Sequence, residues 1–198
     1  MNSRRALLEA TKQLVSTQGY QATSPRDVQR DSGVGQGSFY HHFDGKADLF
    51  ASALAELSAE MRSQLDVALG ASDVGVAQLA AYLGIDRDAL AGCRIGRLAL
   101  EEAILEEELR GPVRDYFDHV AARLTGAAKH AAAAGQLPAS IDPAALAALA
   151  TAAVQGGYVL ARATQDPSRL ELALDGLRSL LAALSPVAPA RPKKARKN

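Results

Sequence analysis

The chain has 198 residues, and 22 Lys plus Arg balance 22 Asp plus Glu to a formal net charge of zero. That balance excludes an overall polycation or polyanion, but not a locally basic face, which is what nucleic acid meets. A single cysteine, Cys93, excludes an intrachain disulfide and an all-cysteine metal site, and fits a reducing compartment. The longest nearly apolar run, residues 144–154, is shorter than the roughly 20 residues of a bilayer span. Glu9 and Lys12 interrupt any signal-peptide core behind Arg4 and Arg5. The expectation is a soluble cytoplasmic protein with no membrane partner.

Ala and Leu dominate, aromatic residues make up only 5%, and no segment sustains the alternation of a half-buried strand. Leu7, Leu8, Thr11, Leu14 and Val15 recur at helical spacing before Gly19. Ser24-Pro25-Arg26-Asp27 reads as an N-cap, a proline in the first turn and a capping box. Gly33 ends that short helix. Gly35-Gln36-Gly37 opens a second short one, which Asp44-Gly45 closes. A much longer helix follows over residues 46–69, with Phe50, Leu54, Leu57, Met61 and Leu65 on one face. Residues 74–83 predict another helix, and 84–92 read as irregular. Residues 94–110 predict a helix with Leu98, Leu105 and Leu109 inward, ended by Gly111-Pro112. Val113, Phe117, Val120, Leu124 and Ala128 define the next helix, up to Gly135. Asp142-Pro143 and Asp166-Pro167 open the last two, over residues 142–164 and 168–184. Residues 185–198 are Pro- and Ala-rich and then basic, the composition of a disordered tail. The fold class expected is all-α, about nine helices. A three-helix unit over residues 1–46 precedes a helical body over 47–184 and a basic tail over 185–198.

A short helix, a tight turn and a second short helix suit a DNA reader, because the major groove admits one helix. Gln36 and Tyr40 are four apart and share a face, with Gly37 and His41 on the adjacent one. Glutamine can bond an adenine edge, and Gly37 lets backbone approach closely. Ser38, Tyr40, His41 and His42 can donate to phosphates. Phe39 and Phe43 face the small core. Lys46 falls in the first turn of the long helix, where the helix dipole disfavours a cation and a phosphate would relieve it. The same polar residues also suit the plain surface of a helical bundle.

Residues 23–28, Thr23-Ser24-Pro25-Arg26-Asp27-Val28, and residues 32–49, from Ser32-Gly33-Val34-Gly35-Gln36-Gly37 to Lys46-Ala47-Asp48-Leu49, closely resemble the DNA-binding signature of the tetracycline-repressor (TetR) family of transcriptional regulators. Gln29, Gly35 and Pro25 depart from its usual pattern. Gly92-Cys93, Gly96-Arg97-Leu98, Gln155-Gly156-Gly157 and Ala161-Arg162-Ala163 resemble one bacterial subgroup. The resemblance implies contacts to double-stranded operator DNA from Thr23, Ser24, Arg26, Gln36, Gly37, Ser38, Tyr40, His41, His42 and Lys46. It implies a body that binds an effector, here of unknown identity, and forms a homodimer. Met61, Leu65, Tyr82, Cys93, Leu98, Tyr116, Phe117, Val120, Gln155 and Tyr158 are the candidate pocket. Few charges fall among them, which points to a neutral or weakly polar ligand. In the last helix Leu170, Leu174, Leu177, Leu181 and Leu184 form a heptad-like seam, with Leu172 and Leu180 off it. With Leu146, Leu149, Ala153 and Gly157 of the preceding helix, Leu170, Leu174, Leu177 and Leu181 are the expected dimer interface. The implied function is a ligand-responsive regulator, most simply a repressor released from a palindromic operator.

Cys93 reads as a small buried apolar residue, or as a thiol sensor if accessible. Glu101, Glu102, Glu106, Glu107 and Glu108 lack the Glu-x-x-His pattern of a di-iron bundle and read as a solvated acidic face. Gly35-Gln36-Gly37-Ser38 is neither a nucleophile elbow nor a dinucleotide loop. No Walker loop occurs, and His119 and His130 stand alone. No catalytic residue, metal ligand or cofactor is expected. Two other classes are a ligand-independent DNA-architectural protein, which the basic tail suits, and a helical enzyme.

Overall fold

Capping chemistry sets the first three helices. In the computed structural model, which describes residues 2–184, α1 spans Ser3–Thr17 and its N-cap Asn2 accepts from the Arg4 amide. α2, Pro25–Ser32, starts from the capping box read in the sequence: the Asp27 amide donates to the Ser24 hydroxyl and the Ser24 amide to the Asp27 carboxylate. Gly33 closes it at φ 68°, a left-handed conformation in which a side chain is strained. α3 is Gln36–His42, and α4 runs over Lys46–Gly70. At about 1.5 Å per residue, α4 is roughly 37 Å long.

Beyond α4 lie α5, Val76–Leu83, then two 3-10 helices, Gly96–Leu100 and Glu102–Leu105. α6 is Glu107–Ala133, α7 Pro143–Thr164 and α8 Ser168–Leu184. The described residues are thus all helical and loop, with eight α-helices and two 3-10 helices where about nine helices are expected. The difference lies at 94–110. Leu98 and Leu109 are buried as expected, but Leu105 is 70% exposed, because separate turns rather than one helix carry them. Gly111-Pro112 does not end a helix. Pro112 sits near the start of α6, where its missing N–H costs one ladder bond, to the Glu108 carbonyl. The tail expected at 185–198 lies outside the described residues.

Two hydrophobic cores result. The first joins α1, α2 and α3 to the front of α4 through Leu7, Val28, Phe39, Phe50 and Leu54, and takes in Ile95, Leu98, Leu109 and Val113. The second joins the back of α4 to α5–α8 through Leu65, Leu69, Leu83, Leu124, Val154 and Leu174. α4 and α6 belong to both. Lys12 ties α1 to α4. Its side chain is 4% exposed, and its ammonium lies 2.5 Å from Glu60, 3.0 Å from Glu9 and 3.6 Å from Glu56. Burial alone would lower its pKa, but the bonds from Glu60 and Glu9 outweigh that and the net shift is upward. Asp66 ties α4 to α6, holding His119 at 2.9 Å and Arg123 at 3.0 Å.

The leucine seam of α8 is turned inward. Leu170, Leu174, Leu177 and Leu181 are buried on α7 of the same chain, together with Leu146 and Gly157. Of the residues expected between subunits, only Leu149 is largely exposed, and Ala153 is half-buried. A seam of period 3.5 marks the face toward an apolar neighbour, and within the single chain that neighbour is α7. Apolar surface remains outside it, at Leu149, Leu160, Leu172 and Leu180. α7 also carries more apolar length than its 144–154 run suggests. By length and composition it could cross a membrane, with a mean hydropathy of 1.5, and one third of that window is buried. In the structure it packs against α6 and α8.

Gly157 marks a close α7–α8 approach, since a Cβ there would lie 2.6 Å from Leu170 Cδ1 and 3.2 Å from its Cα. Gly157→Ala is therefore expected to lower stability by about 1–3 kcal/mol through overpacking. Gly126→Ala, in α6 with open space around it, is expected to raise stability by up to about 1 kcal/mol. Urea unfolding midpoints of the two variants check the contrast.

Candidate nucleic-acid interface and internal cavities

α3 is a two-sided helix. Phe39 is fully buried and Phe43 nearly so, with ring centroids 6.3 Å apart. On the other side Gln36, Gly37 and His41 are exposed, and Tyr40 is 58% exposed. Ser38 and His42 are half-buried, and the His41 and His42 rings lie 4.9 Å apart. Gln36 and Tyr40 face Ser24, Arg26 and Gln29 of the α2 region across a polar groove of about 330 Å³. A Cβ at Gly35 or Gly37 would meet nothing within 4 Å. The fold therefore does not require glycine at either position, which leaves close approach by another molecule as a use for Gly37.

Three of the expected contact residues have other partners. Thr23 is 1% exposed, and its hydroxyl donates to the Gly19 carbonyl at 2.7 Å. This corrects its reading as a surface donor: it closes the α1–α2 loop. The Ser24 hydroxyl donates to Asp27 at 2.6 Å within the capping box. Lys46 is half-buried, with its ammonium 4.1 Å from the centroid of the Tyr20 ring and 5.5 Å from that of Phe50. Burial lowers its pKa, and the charge of Glu101 partly restores it. Inside the chain an aromatic face and a carboxylate offset part of the cost of this cation at the start of α4.

Glu101 is not part of a solvated acidic face. It accepts from the backbone amides of Tyr20, at 3.0 Å, and Gln21, at 2.8 Å, some 80 residues away in sequence. Gly19 makes room for it. Its φ is +88°, and a Cβ there would run into the Glu101 carboxylate. Glu107, by contrast, does lie at the surface, paired with Arg110 and Arg114. The sequence signal for Glu101 was Gly19, read only as a helix stop.

Seven of the expected pocket residues come together. Met61, Leu65, Tyr82, Cys93, Tyr116, Gln155 and Tyr158 line one cavity of about 290 Å³. Leu98, Phe117 and Val120 do not line it. Leu98 and Val120 are core residues, and Phe117 packs on the first core beside Tyr116. Burial raises the pKa of Tyr82, Tyr116 and Tyr158, the last to about 12, so each offers a neutral hydroxyl. Four charged residues, Asp86, Arg87, Asp88 and Arg94, also line the cavity, and two of them are held by backbone. Arg87 donates to the carbonyls of Tyr82 at 2.6 Å and Ile85 at 2.7 Å, and Asp88 accepts from the amides of Leu90 and Ala91. Cys93 is buried, and its sulfur accepts from the Gly96 amide. Among the acids, Glu9, Glu56 and Glu60 stand close enough to hold a cation, and Lys12 lies among them.

Residues 7–53 match the family described as "Bacterial regulatory proteins, tetR family", and residues 75–177 match "Tetracyclin repressor-like, C-terminal domain". The chain belongs to the TetR family. An HTH-type transcriptional regulator from the lacX 3′ region of Lactococcus lactis subsp. lactis is 28% identical over 185 residues, 90% of this chain and 92% of that protein. A TetR transcriptional regulator of Chloroflexus aurantiacus is 26% identical and superposes with a TM-score of 0.83, covering 94% of this chain and 97% of that one. A TetR-family regulator of Cytophaga hutchinsonii reaches the same TM-score at 20% identity, over 93% and 96% of the two chains. This TetR-family chain is therefore a DNA-binding transcriptional regulator with a helix-turn-helix. For it, Gln36→Ala is expected to lose about 1–3 kcal/mol of discrimination at a single base-pair position. Binding to a panel of single-position operator variants measures this.

Proposed function

We propose that the protein binds a palindromic operator as a homodimer in the cytoplasm, represses transcription there, and is released by a small apolar or weakly polar molecule. The observation that carries this reading is the double membership of α4. Its first half packs with α1–α3 in one core, while Met61 and Leu65 of its second half line the tyrosine-rich cavity. A ligand that packs against Met61 and Leu65 acts on the same rigid helix that seats α3. In this reading residues 1–46 are the reading unit, residues 47–184 bind ligand and partner, and Arg26, Gln36, Tyr40 and His41 meet DNA.

The dimer rests on surface chemistry. Leu149, Leu160, Leu172 and Leu180 are each more than half exposed on two adjacent helices. An apolar groove of about 380 Å³ between Leu149, Leu177 and Leu180 continues that face. A large exposed apolar patch is a liability that a second copy would cover. Two copies would present two α3 helices to grooves one DNA turn apart, about 34–36 Å.

Release requires that the ligand bind the two conformations unequally. A coupling of about 1–3 kcal/mol would weaken operator binding by about 5–150-fold, and operator would weaken ligand binding by the same factor. Calorimetry of a ligand found by screening, with and without operator, tests this; equal affinities would exclude it. Leu180→Glu, at an exposed position, is expected to fold, to sediment as a monomer and to lose operator affinity, because it places two uncompensated charges across a symmetric face. A parent protein that is monomeric at micromolar concentration would remove the dimer.

A further inference from the structure

A second cavity, of about 350 Å³, lies on the other side of Cys93, Gln155 and Tyr158, which line both. Its chemistry differs. Arg97 and Arg162 line it, and the acid among its lining residues is Glu101. Glu101 is already engaged by the Tyr20 and Gln21 amides. Among the described residues Arg97 has one hydrogen bond, from a terminal nitrogen to the Ala91 carbonyl at 3.0 Å, and its Nε is buried without a partner. Leu100 and Val159, both largely exposed, supply an apolar rim. Gln18, the residue that ends α1, also lines the cavity, so it touches the DNA-reading unit directly.

We propose that this cavity binds a small organic carboxylate between Arg97 and Arg162, and that Glu101 transmits its presence to the α1–α2 loop. The inference deepens the ligand-release reading above and rests on it for its regulatory half. A guanidinium matches a carboxylate with two parallel N–H bonds, and Arg97 and the exposed Arg162 line this cavity together. Burial, and after it the neighbouring Arg162 charge, lower the pKa of Arg97. An anion between the two would relieve both costs. The apolar rim favours an acid with a hydrocarbon body over a bare inorganic anion. The volume accommodates a ligand of small-molecule size.

The link to DNA binding follows from charge. Glu101 pins the loop at residues 19–21 by accepting two backbone amides. Arg97 offers Glu101 a favourable positive field. A bound carboxylate neutralises that field and places a second negative charge near Glu101. The clamp on the loop then weakens, and with it the seat of α2 and α3.

The test uses the full-length protein and four probes: acetate, butyrate, hexanoate and benzoate. Hexan-1-ol and inorganic phosphate serve as controls. At least one acid is expected to bind about tenfold or more tightly than either control in calorimetry without DNA. Arg162→Gln, at an exposed residue, is expected to keep the parent melting temperature and lose about tenfold or more of that affinity. The same acid is expected to weaken operator binding by the parent, and not by Glu101→Gln. No acid exceeding hexan-1-ol and phosphate, or an Arg162→Gln variant that binds like the parent, overturns the site. Acid binding that leaves operator affinity unchanged overturns the role of Glu101. If an apolar molecule still releases the parent from operator while Arg162→Gln binds the acids unaltered, this inference falls and ligand release stands. If the acids need Arg162 but no molecule alters operator binding, the site stands without release, and both regulatory claims fall.

Discussion

One helix packed into two cores is the constraint on which this molecule rests. Leu49, Phe50, Leu54 and Leu57 at the front of α4 are fully buried with α1–α3, and Leu65 and Leu69 at its back are buried with the body. Close-packed interiors resist gradual deformation. α4 therefore cannot tilt at one end without repacking at the other. α6 repeats the arrangement, with Leu109 and Val113 in the first core and Leu124 in the second. Tyr116 and Tyr158 pack against both cores and also line the cavity beside Met61. The cavity thus sits at the seam where the two packing units meet, the place where a small added volume has most leverage.

Charge is distributed with the same economy. Two of the four charged residues lining the Tyr82 cavity have backbone partners: Arg87 with carbonyls at the end of α5, and Asp88 with two amides. The Arg97 cavity is different: two arginines line it, and its acid, Glu101, is held by two backbone amides. The two cavities share a wall yet differ in the chemistry they can recognise.

Local features were legible in the sequence, and long-range ones were not. The Ser24–Asp27 capping box, the left-handed Gly33 and the polar face of α3 all depend on residues within four positions of one another. α4 was legible because a single apolar stripe runs along it. The stretch 94–110 was not, because Leu98, Leu105 and Leu109 mimic helical spacing while belonging to successive short turns and the start of α6. What orders those turns is remote: Ile95 and Leu98 reach the first core, and Glu101 reaches Tyr20 and Gln21. The same applies to the α8 seam, whose period is legible while its contact with α7 of the same chain is not. Period reveals that a face is buried, not against which chain. Thr23 shows the limit in miniature, since a hydroxyl beside a polar motif looks like a surface donor until its bond to Gly19 is seen.

The Lys12 contact has a practical corollary. Its ammonium is almost sealed from solvent, so mobile ions reach it poorly and screen it little. Arg26, His41 and the other exposed donors around α3 enjoy no such protection. Attraction to phosphates is lost steeply as counterions accumulate. Ionic strength therefore acts on the two halves of this molecule unequally. As salt rises, the hold on DNA therefore fades more steeply than the brace between α1 and α4, whose cation is buried while its carboxylates are nearly half exposed.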